Sequence, residues 1–205
     1  MAKLNKLFWL FIIGSVFGFV LETVFCFLVN GRLECRSSLI FGPFNIIYGL
    51  AMVMLYLGKY LVAHRKLRTI FLFGAITSTI LEYVVSIVQE MLIGSVSWDY
   101  SSQPFNIDGR VSLLFSVFWG ILTIIWYLFV LPFLEKTIDH LSQKIKPVLT
   151  KLFILFLVLD LLISGLAVVK WHIRQVGPTS KNTTIDKILN DTLMEKIYPN
   201  MIWKD

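Results

Sequence analysis

The stretch Ile13 to Cys26 reads IGSVFGFVLETVFC. It is apolar enough for the interior of a membrane, yet Gly14, Gly18, Glu22 and Cys26 recur at four-residue spacing. That spacing stacks the four side chains on one face of a helix. In lipid, small residues so placed let a second backbone approach closely, so this face is a helix contact with a carboxylate in it.

Sixty residues on, FGAITSTILE, Phe73 to Glu82, repeats the pattern, with Gly74, Ser78, Glu82 and then Ser86 in the matching places. Pro-Phe-Asn-Ile also occurs twice, at Pro43 to Ile46 and Pro104 to Ile107, offset by 61. These correspondences predict a duplicated unit: a helix with a Glu on its contact face, a loop, and a returning helix opened by Pro-Phe-Asn. Both units start on the same side, so the repeats are parallel.

Composition sets the class. Apolar residues make up 57% of the 205-residue chain and charged ones 16%, which describes a membrane protein. Five stretches are long enough to cross a hydrocarbon layer of about 30 Å: Leu7 to Val29, Leu39 to Val62, Thr69 to Ile93, Val111 to Leu134 and Val148 to Lys170. The expected fold is therefore an all-α integral membrane protein. Residues 1–62 form its first repeat unit, 63–134 the second, 135–147 a cytoplasmic loop, 148–170 the fifth span and 171–205 an outer polar tail with an amphipathic helix.

Lys3, Lys6, Lys59, Arg65, Lys66, Arg68, Lys136, Lys144, Lys146 and Lys151 fall at the N-terminus and in the second and fourth loops. By the positive-inside rule these are cytoplasmic, and the first and third loops face outward with Arg32, Arg36 and Arg110. The net charge of +6 then belongs mostly to a collar on anionic lipid, and no basic module indicates nucleic acid. The first span is too long for a signal-peptide core and has no Ala-x-Ala site, so it is expected to stay as an anchor. Cys26 and Cys35 form no bridge or metal spacing, and His64, His140 and His172 sit near helix ends, so neither metal nor cofactor is expected.

Glu22, Glu82 and, in FLVLDLLISG, Asp160 lie inside apolar spans. A charge at that depth costs about 2.5 to 3.5 kcal/mol, so none of the three should face lipid bare. Glu22 is placed roughly 10 Å below the outer end of its helix and Glu82 deeper, with Ser86 and Gln89 above it. Ser112, Ser116, Trp119 or Gly120, Thr123 and Tyr127 make a polar stripe on the fourth span, and Asn45, Tyr48, Gly49, Met52 and Tyr56 one on the second. Together they predict a polar cleft open to the outside, handling a proton or a cation. Arg110, Arg32 or Arg36 is placed to reach Glu22, and Arg110 also to reach Asp99.

Asn45 and Asn106 have two readings, as caps of helix starts or as ligands at the outer face. Trp98, Asp99 and Tyr100 likewise read either as interfacial belt residues or as a lid over a ligand. Glu135 to Pro147 has the pattern of a short interfacial helix. In the tail, Gly177-Pro178 marks a turn. Thr184 caps a helix with Ile185, Ile188, Leu189, Thr192 and Ile197 on one side, ending near Pro199. Asn182 heads an Asn-Thr-Thr glycosylation triplet.

LETVF, GPFNIIYG, LEYV, WDYSSQPFNIDGR and SVFWG together resemble the bacterial family of putative ABC-transporter type IV membrane proteins, over about residues 1 to 140. The resemblance implies a multi-pass protein of the bacterial cell membrane with a transport role. No Gly-xxxx-Gly-Lys-Ser/Thr loop is present, so a separate ATPase subunit would supply the energy. Five spans are few for a complete pathway, so a homo- or hetero-oligomer is expected. Two other classes stay open: a membrane-embedded lipid or cell-envelope enzyme with Glu22 or Glu82 as base, and a non-catalytic accessory or sensor protein.

Overall fold

The computed structural model describes residues 2–62, 65–176 and 184–204. His64, the Gly177-Pro178 turn and the Asn182 triplet lie outside them. The order is α1 (Ala2–Asn30), α2 (Ile46–Val62), α3 (Leu67–Ile93), β1 (Ser95–Val96), β2 (Asn106–Ile107), β3 (Val111–Ser112), α4 (Leu113–Ile125) and a π-helical turn (Trp126–Val130). Then come α5 (Leu131–Lys144), α6 (Pro147–Val176), α7 (Thr184–Ile188), α8 (Asp191–Ile197) and β4 (Ile202–Trp203). Four of the described helices are long and apolar enough to cross a membrane: α1, α3, α6 and the run from α4 into α5. The apolar α2, at 17 residues, is shorter.

Glycines set the helix pairs. A Cβ on Gly14 would lie 2.7 Å from Met52 Cβ, and one on Gly49 2.7 Å from the Phe11 ring, so α1 and α2 are in backbone contact. On the other pair, a Cβ on Gly74 would lie 2.0 Å from Thr123 Oγ1, and one on Gly120 2.5 Å from the Phe71 ring. Two hairpins, α1–α2 and α3–α4, result. Tyr127 joins them by donating its hydroxyl to the Leu55 carbonyl at 2.6 Å. At the N-terminal end of α1, Lys6 pairs with Asp139 at 2.6 Å and Lys59 pairs with Glu135.

The second helix starts at Ile46, seven residues later than Leu39, where the sequence suggests a span begins. Asn45 N–H donates to the Ser15 carbonyl at 3.0 Å, while α1 runs on for fifteen residues, about 22 Å, past Ser15. The chain thus comes back alongside α1 as irregular backbone, which lipid tolerates only where protein satisfies its polar groups. Ser37 does so for the turn, its hydroxyl lying 2.8 to 3.3 Å from the carbonyls of Leu39, Gly42 and Phe44. Gly42, at φ +96°, supplies the bend that a side chain would strain.

The second Pro-Phe-Asn-Ile does not open a helix. Asn106 and Ile107 are β2, paired antiparallel with β3, and α4 begins only at Leu113, capped by Ser112. Asp108 (φ 53°) and Gly109 (φ 65°) form the two-residue turn, closed by Arg110 N–H to the Ile107 carbonyl at 3.0 Å. Asp-Gly is the dipeptide that turns of this left-handed kind favour.

Glu135 to Lys144 is the continuation of α4 rather than a separate interfacial element. Pro132 has no N–H and would crowd the carbonyl four residues back, and the wider turn before it, Leu131 N–H bonding Trp126 O, relieves this. Ile138 is fully buried against protein, in the same cluster as Leu10 and Leu134, so that face does not lie on lipid. The amphipathic tail helix is two short ones, broken before Asn190, whose side chain accepts Leu193 N–H at 2.9 Å. β4 then pairs with β1.

Candidate functional site

Glu22 and Glu82 sit on the contact faces of α1 and α3, about 12 and 17 Å from the loop ends of their helices. Tyr48, lying on Gly18, is within electrostatic reach of both. Its ring stands 5.2 Å from that of Trp119, so α2 and α4 contribute one aromatic each between the two acids.

The acids are held differently. Glu22 receives the Arg36 guanidinium at 3.0 Å, so of the three arginines that the sequence offers, Arg36 is its partner. Glu82 is 4% exposed and accepts two neutral donors, the Tyr100 hydroxyl at 3.0 Å and the Trp119 indole N–H at 3.1 Å. Among the described residues no Lys or Arg pairs with Glu82. Burial raises the Tyr100 phenol well above its ordinary range, so it is a donor at every physiological pH. Its ring is stacked on Phe115 at 4.5 Å.

The other candidate residues build the loops around this cluster. Arg110 reaches neither Glu22 nor Asp99: it binds Glu90 at 2.5 Å and Ser86 at 3.0 Å, two turns and one turn beyond Glu82 on α3. Trp98 donates to the Arg110 carbonyl at 2.8 Å. Asp99 accepts Ser101 N–H at 2.8 Å and the Ser101 hydroxyl, which hold its carboxyl below the usual range. Asn106 donates to the Gln103 carbonyl and accepts Gly109 N–H. Asn45 donates to the Arg36 carbonyl at 3.3 Å and so steadies the residue that pairs with Glu22.

Asp160, 1% exposed, serves the irregular segment before α2: its Oδ1 accepts Phe41 N–H at 3.2 Å and the Ser164 hydroxyl at 3.1 Å. Ile40 N–H donates to Ser164 in turn. In the polar stripe of α4, Ser116 accepts from Thr79 of α3 at 2.7 Å, while Thr123 donates to the Trp119 carbonyl within its own helix. Gln89 bonds Ser97. No group of three or more His, Cys, Asp or Glu among the described residues is placed to hold a metal.

Trp119 is the contact to Glu82 that a stripe alone does not single out. Its register, one turn from Ser116 and one from Thr123, is the available signal.

Long apolar helices, glycine-mediated hairpins and two inward-facing carboxylates define a polytopic helical membrane protein. The chain belongs to the family described as "Putative ABC-transporter type IV", whose model matches residues 9–165. That span runs further than the quoted motifs, through much of α6, and stops before α7. Comparisons with curated proteins and with solved structures gave no match.

Proposed function

We propose that this chain is the membrane-embedded subunit of a transport system, with the Glu22–Glu82 cluster as its polar site. The observation that carries the reading is the unequal treatment of the two acids: Arg36 compensates Glu22, whereas Glu82 is met by neutral donors alone. A carboxylate in that setting takes up a proton or a cationic group to become neutral. Family membership supports transport as the process. The N-terminal end is cytoplasmic on this reading, following the excess of Lys and Arg there, and the loops and tail face outward. The α2 helix completes a fifth crossing together with its irregular lead-in. A separate ATPase subunit powers movement, and the site matures in an oligomer.

The two hairpins are copies of one unit on this reading. Equivalent contacts support it: Phe11 with Gly49 in one and Phe71 with Gly120 in the other, offset by 60 on the first helix and 71 on the second. The extra eleven residues fall in the α3–α4 loop, which carries the β2–β3 hairpin, so the second Pro-Phe-Asn-Ile is strand and turn there rather than a helix start.

The test compares small-solute accumulation in cells lacking the chain, restored with wild type, or restored with Glu82→Gln at equal membrane yield. Wild type is expected to restore the profile and the variant to fail. Full restoration by Glu82→Gln overturns the assignment.

A further inference from the structure

We infer that the C-terminal tail is a strap that holds the two loops closed over the Glu22–Glu82 cluster, and that its release opens the site. The inference rests on the reading of that cluster as the point of access.

The strap has a firm anchor. Arg174, in the last turn of α6 with a side chain only 7% exposed, binds Asp186 at 2.8 Å, Asp191 at 2.7 Å and the Leu189 carbonyl at 2.8 Å. Met194 is fully buried, in a cluster with Ala167, Val168 and Trp171 of α6. From this anchor the chain runs across both loops. Tyr198 donates to the Ser38 carbonyl at 3.4 Å and Asn200 to Glu34 at 3.3 Å, both in the α1–α2 loop. On the α3–α4 loop β4 pairs with β1, Lys204 N–H donates to the Gly94 carbonyl at 3.1 Å, and Lys204 Nζ reaches Asp99 at 3.4 Å.

Each clasped loop carries a residue that covers an acid. Glu34 is two residues from Arg36, which lies on Glu22, and Asp99 is next to Tyr100, which lies on Glu82. The side-chain clasps at the tip are 3.3 to 3.4 Å long, the weak class of polar contact, whereas the bonds that Arg174 makes at the root are 2.7 to 2.8 Å. With longer side-chain bonds at the tip than at the root, the segment detaches from the tip, where the β1–β4 pairing and the stacking of Trp203 on His172 at 4.6 Å must also let go. The matched family region ends at residue 165, so the strap is added beyond it.

Cys26 is a built-in reporter. It is a buried free thiol one helical turn beyond Glu22, within electrostatic reach of Arg36, so it lies under the first loop. With Cys35→Ser as background, the purified full-length chain in lipid nanodiscs is treated with a polar maleimide, and the rate at Cys26 is read by mass spectrometry. Asn200→Ala combined with Lys204→Ala is expected to raise that rate roughly three- to tenfold, the range that two partly exposed polar contacts supply. Val96→Cys with Ile202→Cys, whose positions face each other across β1 and β4, is expected to lower it once oxidised and to return it to the background value on reduction.

If neither variant moves the rate, the strap is refuted, whatever the solute experiment gives. Adding Glu82→Gln to the released variant should leave the faster labelling in place, so failure of the transport reading and failure of the strap are seen separately.

Discussion

Replacing Glu82 by Gln and by Leu separates a carboxylate needed for function from one needed for folding. Glutamine keeps the shape and offers one acceptor oxygen and one nitrogen with two N–H donors. Trp119 N–H can only donate, so the amide oxygen turns to it; the Tyr100 hydroxyl, at 3.0 Å, then rotates to accept from the amide nitrogen. Each partner keeps one hydrogen bond, and the loss is that of charge assistance, about 1 kcal/mol, offset by removal of a buried charge. Leucine leaves the hydroxyl and the indole N–H without partners in a site where the residue was 4% exposed. At about 1 to 3 kcal/mol for each orphaned donor, the penalty is about 2 to 6 kcal/mol. Unfolding in mixed micelles, followed by tryptophan fluorescence, should place Glu82→Gln near wild type and Glu82→Leu well below it. Equal destabilisation of the two would refute the reasoning, because it would make the ionised carboxylate itself the structural requirement.

Three further outcomes follow from the same geometry. Gly74→Ala puts a Cβ 2.0 Å from Thr123 Oγ1 and 2.3 Å from Thr123 Cβ, and overpacking of that kind costs about 1 to 3 kcal/mol; the same unfolding measurement should show it, whereas Gly31→Ala, in open space at φ +69°, should show only its backbone strain. Arg36→Gln strips Glu22 of its partner and should lower stability, with Glu22→Gln restoring part of it in a double-mutant cycle; no coupling between the two would mean the 3.0 Å pair contributes nothing. Asp99 is held below its ordinary pKa by Ser101, with Lys204 adding to this, so its contribution is present at neutral pH and is lost as acid protonates it, below about pH 4. Stability in mixed micelles should therefore fall on acidification through that window, and Asp99→Asn should show a smaller fall.

Much of this was legible in the residues, and the exceptions have physical causes. The stripe of Gly14, Gly18 and Glu22 reads directly because four-residue spacing and a carboxylate in an apolar run admit few alternatives. Hydropathy placed the start of α2 at Leu39 because Leu39 and Phe44 are as apolar as any span, being buried against α1 and α6. What shortens the helix is polar: Ser37, Asp160 and Ser164 satisfy the backbone of an irregular segment, two of them from far along the chain. The β2–β3 hairpin was written in Asp108-Gly109, a turn signal that the repeated Pro-Phe-Asn-Ile overshadowed. Pro132 suggests a helix end, but the π turn lets the helix pass it. At the site, Glu82 and Tyr100 were on the candidate face and lid; the choice of Arg36 over Arg110 depended on loop geometry that spacing does not carry.

The contrast between Arg36 and Arg110 bears on how such a site works. Each loop sends one arginine onto the first helix of its hairpin, but the one on α1 reaches the deep acid and the one on α3 stops at Glu90, two turns nearer the helix end. Had Arg110 reached Glu82, both acids would be neutralised and the cluster would have no charge to offer a ligand. Because Glu90 and Ser86 hold that guanidinium at the loop end, the floor of the cluster keeps one carboxylate that Tyr100 and Trp119 can orient but not compensate. A protein that only needed its helices glued together would be served by the neutral arrangement. On the proposed transport reading, the uncompensated acid is the group that meets the proton or cation.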